Sequence, residues 1–430
     1  RYVGAVHGIG TQENHLVCPE WDSFASCHVR CLHGTRAPNN CRKRIQRLFV
    51  RNSRTHVINT MQQKSYYFDT IDILRGFAAI SVVVYHVIEH FQWNNFPATW
   101  PWLWFRVGWM GVDLFFVISG FVIGLSAFSE IDKRGEHAFR PGFFRRRLAR
   151  IVPLHYLTML VFIAFISPHL LFQHLFLNLG SHLLFLHNLV PQLHGAINGS
   201  NWSLATEMQF YGLMLLIAPW LRVGRWWGIA LVFLLTAWLW RAGVSAWVQP
   251  SESSGFFPVF VAATQLPGML DEFLAGLLLA RLVRSDYGKT MLQKKGMTQI
   301  TIAILAGISL YFTFRIYASY GSYWDYPLMV TFWRSLLAVS FALVLLFFIT
   351  LRFTGKIKTM LAPVSYLGTI SYGIYLWHLP VLLSLKTLDW LKPELALMWC
   401  LVITCILASV SWHFFEKPLM DRFNPKANIQ

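Results

Sequence analysis

The sequence predicts an all-α protein, a polytopic membrane helix bundle with about ten transmembrane helices. Three observations predict it. Hydrophobic residues make up 55% of the 430-residue chain and charged residues only 13%, more apolar content than one soluble core needs. The apolar residues gather into segments of about 17 to 25, long enough to cross a hydrocarbon core. Lysine and arginine cluster in alternate loops between those segments, as expected when one set of loops is kept in the cytoplasm. That clustering accounts for the formal net charge of +17. It also argues against nucleic acid as a partner, because the chain has neither a basic helix face nor a stacking platform.

Residues 1–60 stand apart from the rest. They contain no span-length apolar run and hold four of the six cysteines, Cys18, Cys27, Cys31 and Cys41, without the paired C-x2-C knuckles of zinc sites. No metal is expected. We expect residues 1–60 to be a non-native or disordered extension read from a misplaced start. Met61, followed by two glutamines, a lysine and then the first apolar helix, begins the transmembrane domain proper, 61–430.

The first span, 71–91, carries Arg75 near its start and His86 deep inside, about 16 Å apart along a continuous helix. The second, 109–129, holds Asp113 near its beginning and is followed by Lys133, Arg134, Arg140, Arg145, Arg146, Arg147 and Arg150. The third is 149–167. After it, Leu170 to Leu189 is apolar but interrupted by His174, His182 and His187; a full crossing there would invert every later loop, so an interfacial or re-entrant segment is expected. The fourth span, 201–221, carries Glu207 and precedes Arg222 and Arg225; the fifth is 226–243. The sixth, 259–283, precedes Lys289, Lys294 and Lys295. The seventh is 298–318, and the eighth, 329–351, precedes Arg352, Lys356 and Lys358. The ninth, 363–384, carries His378, and the tenth, 395–415, carries Cys400 and Cys405 as apolar residues. With the basic loops inside, Met61 and the C-terminus are both cytoplasmic, and Trp100, Trp102 and Trp104 form an outer interfacial belt.

This orientation assigns depths. His86, Asp113, Glu207 and His378 all fall in the outer half of the bilayer, where ionisable side chains are costly and point to function. An imidazole beside a carboxylate can deprotonate a hydroxyl, which makes His86, Glu207 and Asp113 the catalytic candidates. The same groups could instead pair to hold helices together, and Asp113 could cap a helix. Asn201, Ser203, Tyr211 and His378 are candidates for binding the substrate or its developing oxyanion. At the inner face, Arg75, Arg146, Arg147 and Arg150 suit the phosphates of a nucleotide or coenzyme A. They would serve equally as topology anchors or lipid head-group contacts, and Arg75 could pair with Asp72 on the same helix face.

The strings that carry these residues resemble the acyltransferase-3 family of membrane O-acyltransferases. The resemblance begins with DILRGFAA at 72–79 and an R-x10-H spacing to His86. It continues through GVDLFFVISGF at 111–121, FFRRRLARIVPLHY at 143–156, NWSLATEMQFYG at 201–212, FLAGLLLARL at 273–282, SYGIYLWHLPV at 371–381 and FEKPL at 415–419. It implies ten helices, an acyl-CoA donor (acetyl-CoA for an O-acetylase) entering from the cytoplasm, and a hydroxyl of an extracytoplasmic cell-envelope polysaccharide as acceptor. By position it makes His86 catalytic, Arg75 its companion, Arg147 and Arg150 the basic pair, and Glu207 the first acid of a pair whose second member is here Met208. Some members carry an appended esterase-like domain, which the short tail after Pro418 leads us not to expect. The implied setting is a bacterial inner membrane, with lipid, acyl-CoA and carbohydrate as partners. A transporter or flippase without acyl chemistry is the alternative, since charged layers in a bundle also suit alternating access.

Overall fold

The computed structural model describes residues 68–423 apart from 173, 174, 225, 251–254, 295 and 321. The expected extension at 1–60 lies outside the described residues, as do Arg225, Lys295 and His174. Among the described residues the architecture is helical, and eight helices are long and apolar enough to cross a membrane.

Helix α1, Asp69–His90, has Asp69 and Asp72 in its first turn and His90 in its last, the charge order that complements a helix dipole. Its valine-rich run, Val82, Val83, Val84 and Val87, is buried, so α1 is an inner helix. Helix α2, Gly108–Lys133, and α3, Phe139–Phe165, are separated at Gly135, whose φ of +76° is outside the helical region. The α3 helix starts at Phe139, well before the expected 149. Pro141 lies inside the helical run, and the arginine strip that follows it is helical instead of a connecting loop.

The segment after α3 crosses nothing. It is built of short turns around α4, Leu175–Leu183, with Phe172, Phe176 and Leu184 exposed on one side and Asn178 and His182 buried on the other. An apolar face over a polar underside is what the expected interfacial or re-entrant segment requires.

Helices α5, Gly199–Arg222, and α6, Trp226–Trp247, follow. The sixth expected span is broken into α7, Phe257–Ala263, a turn at Leu266–Met269, and α8, Leu270–Arg284. Pro267 has no amide to continue a helix, and Gly268 lies against the Ala263 carbonyl. Helices α2 and α8 meet backbone to backbone. A Cβ on Gly120 would lie 2.2 Å from the Phe273 carbonyl oxygen, and one on Gly276 would lie 2.1 Å from that of Val117, so glycine is what permits the crossing.

Helices α9, Met297–Ala318, and α10, Met329–Thr350, come next. The ninth expected span is also interrupted. Helix α11, Gly355–Thr369, ends where Gly368 abuts the Asp72 carbonyl of α1, and the chain bends at Ile370 into α12, Ser371–Lys386. Helix α13, Pro393–Phe423, completes the bundle. Eight continuous helices and two broken ones thus stand where ten spans were expected. Helices α1, α2, α3, α5 and α12 place the chemistry-bearing side chains.

Candidate active site

Helix α1 packs against α12, and the contact brings two imidazoles together. Nδ1 of His86 lies 3.1 Å from Nε2 of His378, with ring centroids 5.0 Å apart. His86 Nδ1 is also 3.0 Å from the Val82 carbonyl one turn back, and His378 Nδ1 is 2.6 Å from the Tyr375 carbonyl. His378 is fully buried, whereas His86 is only partly so. Pro380 explains part of this arrangement. It has no amide to offer the Leu376 carbonyl, and Asn198 Nδ2 donates there instead at 2.9 Å, tying the connection before α5 to α12.

One turn along α12 from His378, Tyr375 forms a wall of a cavity. The Tyr375 hydroxyl donates to the Ser200 carbonyl at 2.8 Å and lies 2.7 Å from Ser203 Oγ. Arg75, Arg147 and Arg150 line the same cavity, together with Ser119, Glu207 and Tyr211. Glu207 accepts hydrogen bonds from Ser119 Oγ and the Tyr211 hydroxyl, each at 2.6 Å. The Arg147 guanidinium sits over the Phe143 and Tyr211 rings at 5.4 and 5.6 Å. Arg75 is 3.8 Å from Asp72. Among the described residues Arg147 and Arg150 have no carboxylate within ion-pair distance. The cavity therefore offers cationic forks, apolar walls from residues such as Val112, Phe116 and Leu204, and a hydroxyl-rich end at Ser203 and Tyr375. That suits an elongated ligand with an anionic head.

Several expected residues are placed elsewhere. Neither Glu207 nor Asp113 is the partner of His86: Glu207 belongs to the arginine cavity, and Asp113 pairs with Arg334 of α10, which also lies 3.5 Å from Glu272 of α8. Equal depth put them in one layer, but depth says nothing about which way a helix face turns. Arg146 pairs with Glu130 and is absent from the cavity lining. Asn201 is buried in a different cluster, its Nδ2 3.3 Å from His155 Nδ1 and its carbonyl 3.1 Å from His187 Nε2. Ser203 and Tyr211 do line the cavity, and His378 stands beside His86. Ser119, Tyr372 and Tyr375 line the cavity without having been singled out. All three lie inside the quoted strings, and Tyr375 is one helical turn before the candidate His378.

Comparison with known proteins matches the acyltransferase domain over residues 68–413. BcsY of Komagataeibacter xylinus, provisionally named a membrane-bound transacylase, is 26% identical over 82% of this chain and 83% of its own. The peptidoglycan O-acetyltransferase OatA of Listeria monocytogenes is 25% identical over 82% of this chain and 56% of its own. The O-acetyltransferase OatA of Staphylococcus aureus is 24% identical over 85% and 60%. The chain thus spans little more than half the length of the two OatA proteins it is similar to. No solved structure matches it.

Proposed function

Since the chain belongs to the acyltransferase-domain family that it matches over residues 68–413, we propose that it moves an acyl group, acetyl in the simplest case, from acyl-CoA to a hydroxyl of an extracytoplasmic carbohydrate. Acyl transfer takes the place of the transporter reading. The observation that supports the donor is the single cavity running from three arginines to Tyr375, whose carbonyl holds His378 beside His86. The arginines take the phosphates of coenzyme A at the cytoplasmic face, and the pantetheine arm lies along the apolar walls. The acceptor arrives from the opposite side of the membrane. His86 removes the hydroxyl proton as the oxygen attacks the thioester carbonyl, the carbon–sulfur bond breaks, and the proton leaves with the coenzyme A thiol. Ser203 and Tyr375 are hydroxyl groups of the cavity wall that would donate to the developing oxyanion by turning away from each other and from the Ser200 carbonyl.

Membrane vesicles prepared inside-out from producing cells test this reading. They carry the acceptor and expose the cytoplasmic face to added acetyl-CoA labelled in the acetyl group. Label should enter alkali-labile esters in vesicle glycan with the wild type and not with His86→Ala. Wild-type incorporation by His86→Ala would overturn the assignment of the base.

A further inference from the structure

We infer that His378 is a positioning residue that fixes the tautomer of His86, leaving Nε2 of His86 as the atom that accepts the acceptor's proton. The inference rests on the reading of His86 as the base and goes beyond it by naming the atom that acts and the group that selects it.

The assignment follows from the donors and acceptors present, taken outward from the fully buried end. A backbone carbonyl can only accept, so the 2.6 Å contact between His378 Nδ1 and the Tyr375 oxygen requires a proton on that nitrogen. In the neutral ring the other nitrogen, Nε2, is then an acceptor. It faces Nδ1 of His86 at 3.1 Å, and the only other group at that atom is the Val82 carbonyl at 3.0 Å, again an acceptor alone. Both neighbours of His86 Nδ1 require it to carry the proton. In the neutral ring Nε2 must then be bare, and among the described residues it makes no hydrogen bond. The chain of roles runs from Tyr375 carbonyl to His378 to His86, with the free lone pair at the partly exposed end.

A carboxylate partner would do the same task by a different route, holding the ring and stabilising the imidazolium by charge. Here the partner is a neutral ring set by a backbone carbonyl, so orientation and tautomer are supplied without a buried anion. The surroundings agree. His378 is 0% exposed, and its fellow residue Tyr375 is itself held by the Ser200 carbonyl and Ser203, so the carbonyl that anchors His378 is in a fixed turn. The other ring near His86 is His90, whose centroid is 6.2 Å away, too far to take the place of His378 at Nδ1.

The proton-accepting requirement at position 378 is narrow: an acceptor atom where Nε2 now lies. Glutamine can put its amide oxygen close to that point, whereas alanine cannot. The same inside-out vesicles, with labelled acetyl-CoA varied in concentration, separate kcat from the KM for acetyl-CoA. His378→Ala should lower kcat by about 100-fold or more, within the range that general-base catalysis contributes, with KM unchanged. His378→Gln should recover to within about tenfold of wild type, because its amide oxygen restores the side-chain acceptor that, together with the Val82 carbonyl, holds the Nδ1 proton and the ring in place. Each variant is compared at equal membrane abundance and after matching its thermal unfolding midpoint in detergent. His86→Ala that still incorporates label would remove the base reading and the inference with it. His86→Ala silent with His378→Ala turning over like wild type would leave the base in place and overturn the positioning role alone. A folded His378→Gln as inactive as His378→Ala would also overturn it, since an acceptor at that point would then be insufficient.

Discussion

Two regions of this bundle bury charge, and they do it in opposite ways. In the first, Arg241 of α6 spends all five donors within the protein. It bonds the Thr331 and Gly268 carbonyls, both oxygens of Asp271, and Ser335 Oγ, at 0% side-chain exposure. Next to Ser335 in sequence, Arg334 is paired with Asp113 and lies near Glu272. In the second, Arg147 and Arg150 line an open cavity and have no ion-pair partner among the described residues, Arg147 resting on aromatic faces instead. A charged residue within a membrane helix is therefore not by itself a sign of a site. The distinction lies in whether the protein supplies the counter-ion or leaves that to a ligand.

Replacing the same residue type by the same apolar one in both regions is the strongest way to break the comparison. Arg241→Leu strands the Asp271 carboxylate in a dry interior and should cost about 3 to 5 kcal/mol, seen as a large drop in the thermal unfolding midpoint and in the amount of protein reaching the membrane. Arg150→Leu breaks no ion pair and should leave the midpoint much nearer wild type than Arg241→Leu does. If the two variants lose stability equally, the regions do not differ as described.

The closed kind of polar region extends to neutral groups. His182, His187 and His194, in the segment between α3 and α5, are buried beside one another, with the His182 and His187 rings stacked at 4.0 Å. Burial holds their pKa values down, at about 4, about 2 and about 3 respectively, with the neighbouring imidazoles adding to the effect at His187 and His194. The unfolded chain takes up protons near pH 6.5 that the folded chain refuses, so stability is full above pH 6.5 and falls as pH drops toward 4. Each imidazole should contribute a slope of up to about 1.4 kcal/mol per pH unit in that window. A triple His→Gln variant should flatten the profile of unfolding midpoint against pH; an unchanged profile would mean that these rings open to water before the bundle unfolds.

The open region should show itself in substrate affinity. Arg150→Leu should raise the KM for acetyl-CoA by about 10- to 100-fold, as expected for losing a hydrogen-bonded charge worth about 1.5 to 3 kcal/mol, with kcat little changed. Arg146→Leu is the control. Arg146 is paired with Glu130 outside the cavity, so its KM should stay near wild type.

The helices were legible because apolar run length sets a span, and the kink at Gly135 and the break at Pro267 follow from residue chemistry that a count of apolar positions passes over. The cationic cavity was legible in part, since Arg75, Arg147 and Arg150 sit at one end of adjacent helices. What the chain does not display along its length is azimuth. His86, Asp113, Glu207 and His378 share a depth, yet only His86 and His378 face each other, across 292 positions of sequence. Glu207 turns to Ser119 and Tyr211, and Asp113 turns to Arg334, because those faces are set by the crossings of α2 with α8 and α5.

The smallest effect should come from inside the open region itself. Glu207 is the carboxylate among the cavity's arginines, and it is held by two hydroxyl groups, Ser119 and Tyr211. Tyr211→Phe removes one of them while keeping the ring under Arg147. The carboxylate keeps the Ser119 bond, so it is not orphaned, and the loss in stability should be about 1 kcal/mol. Both hydroxyls donate to Oε1, so that oxygen is then held by Ser119 alone, and the less restrained carboxylate can swing toward the guanidinium groups and compete with the phosphates of the donor. The KM for acetyl-CoA should rise by about two- to fivefold, corresponding to less than about 1 kcal/mol, with kcat unchanged. The two bonds to Glu207 would then be read as keeping the acid off the arginines, so that the counter-ion arrives with the substrate. A fall in kcat at constant KM would instead assign the Tyr211 hydroxyl to the chemical step and place the reacting carbonyl beside Glu207, away from His86.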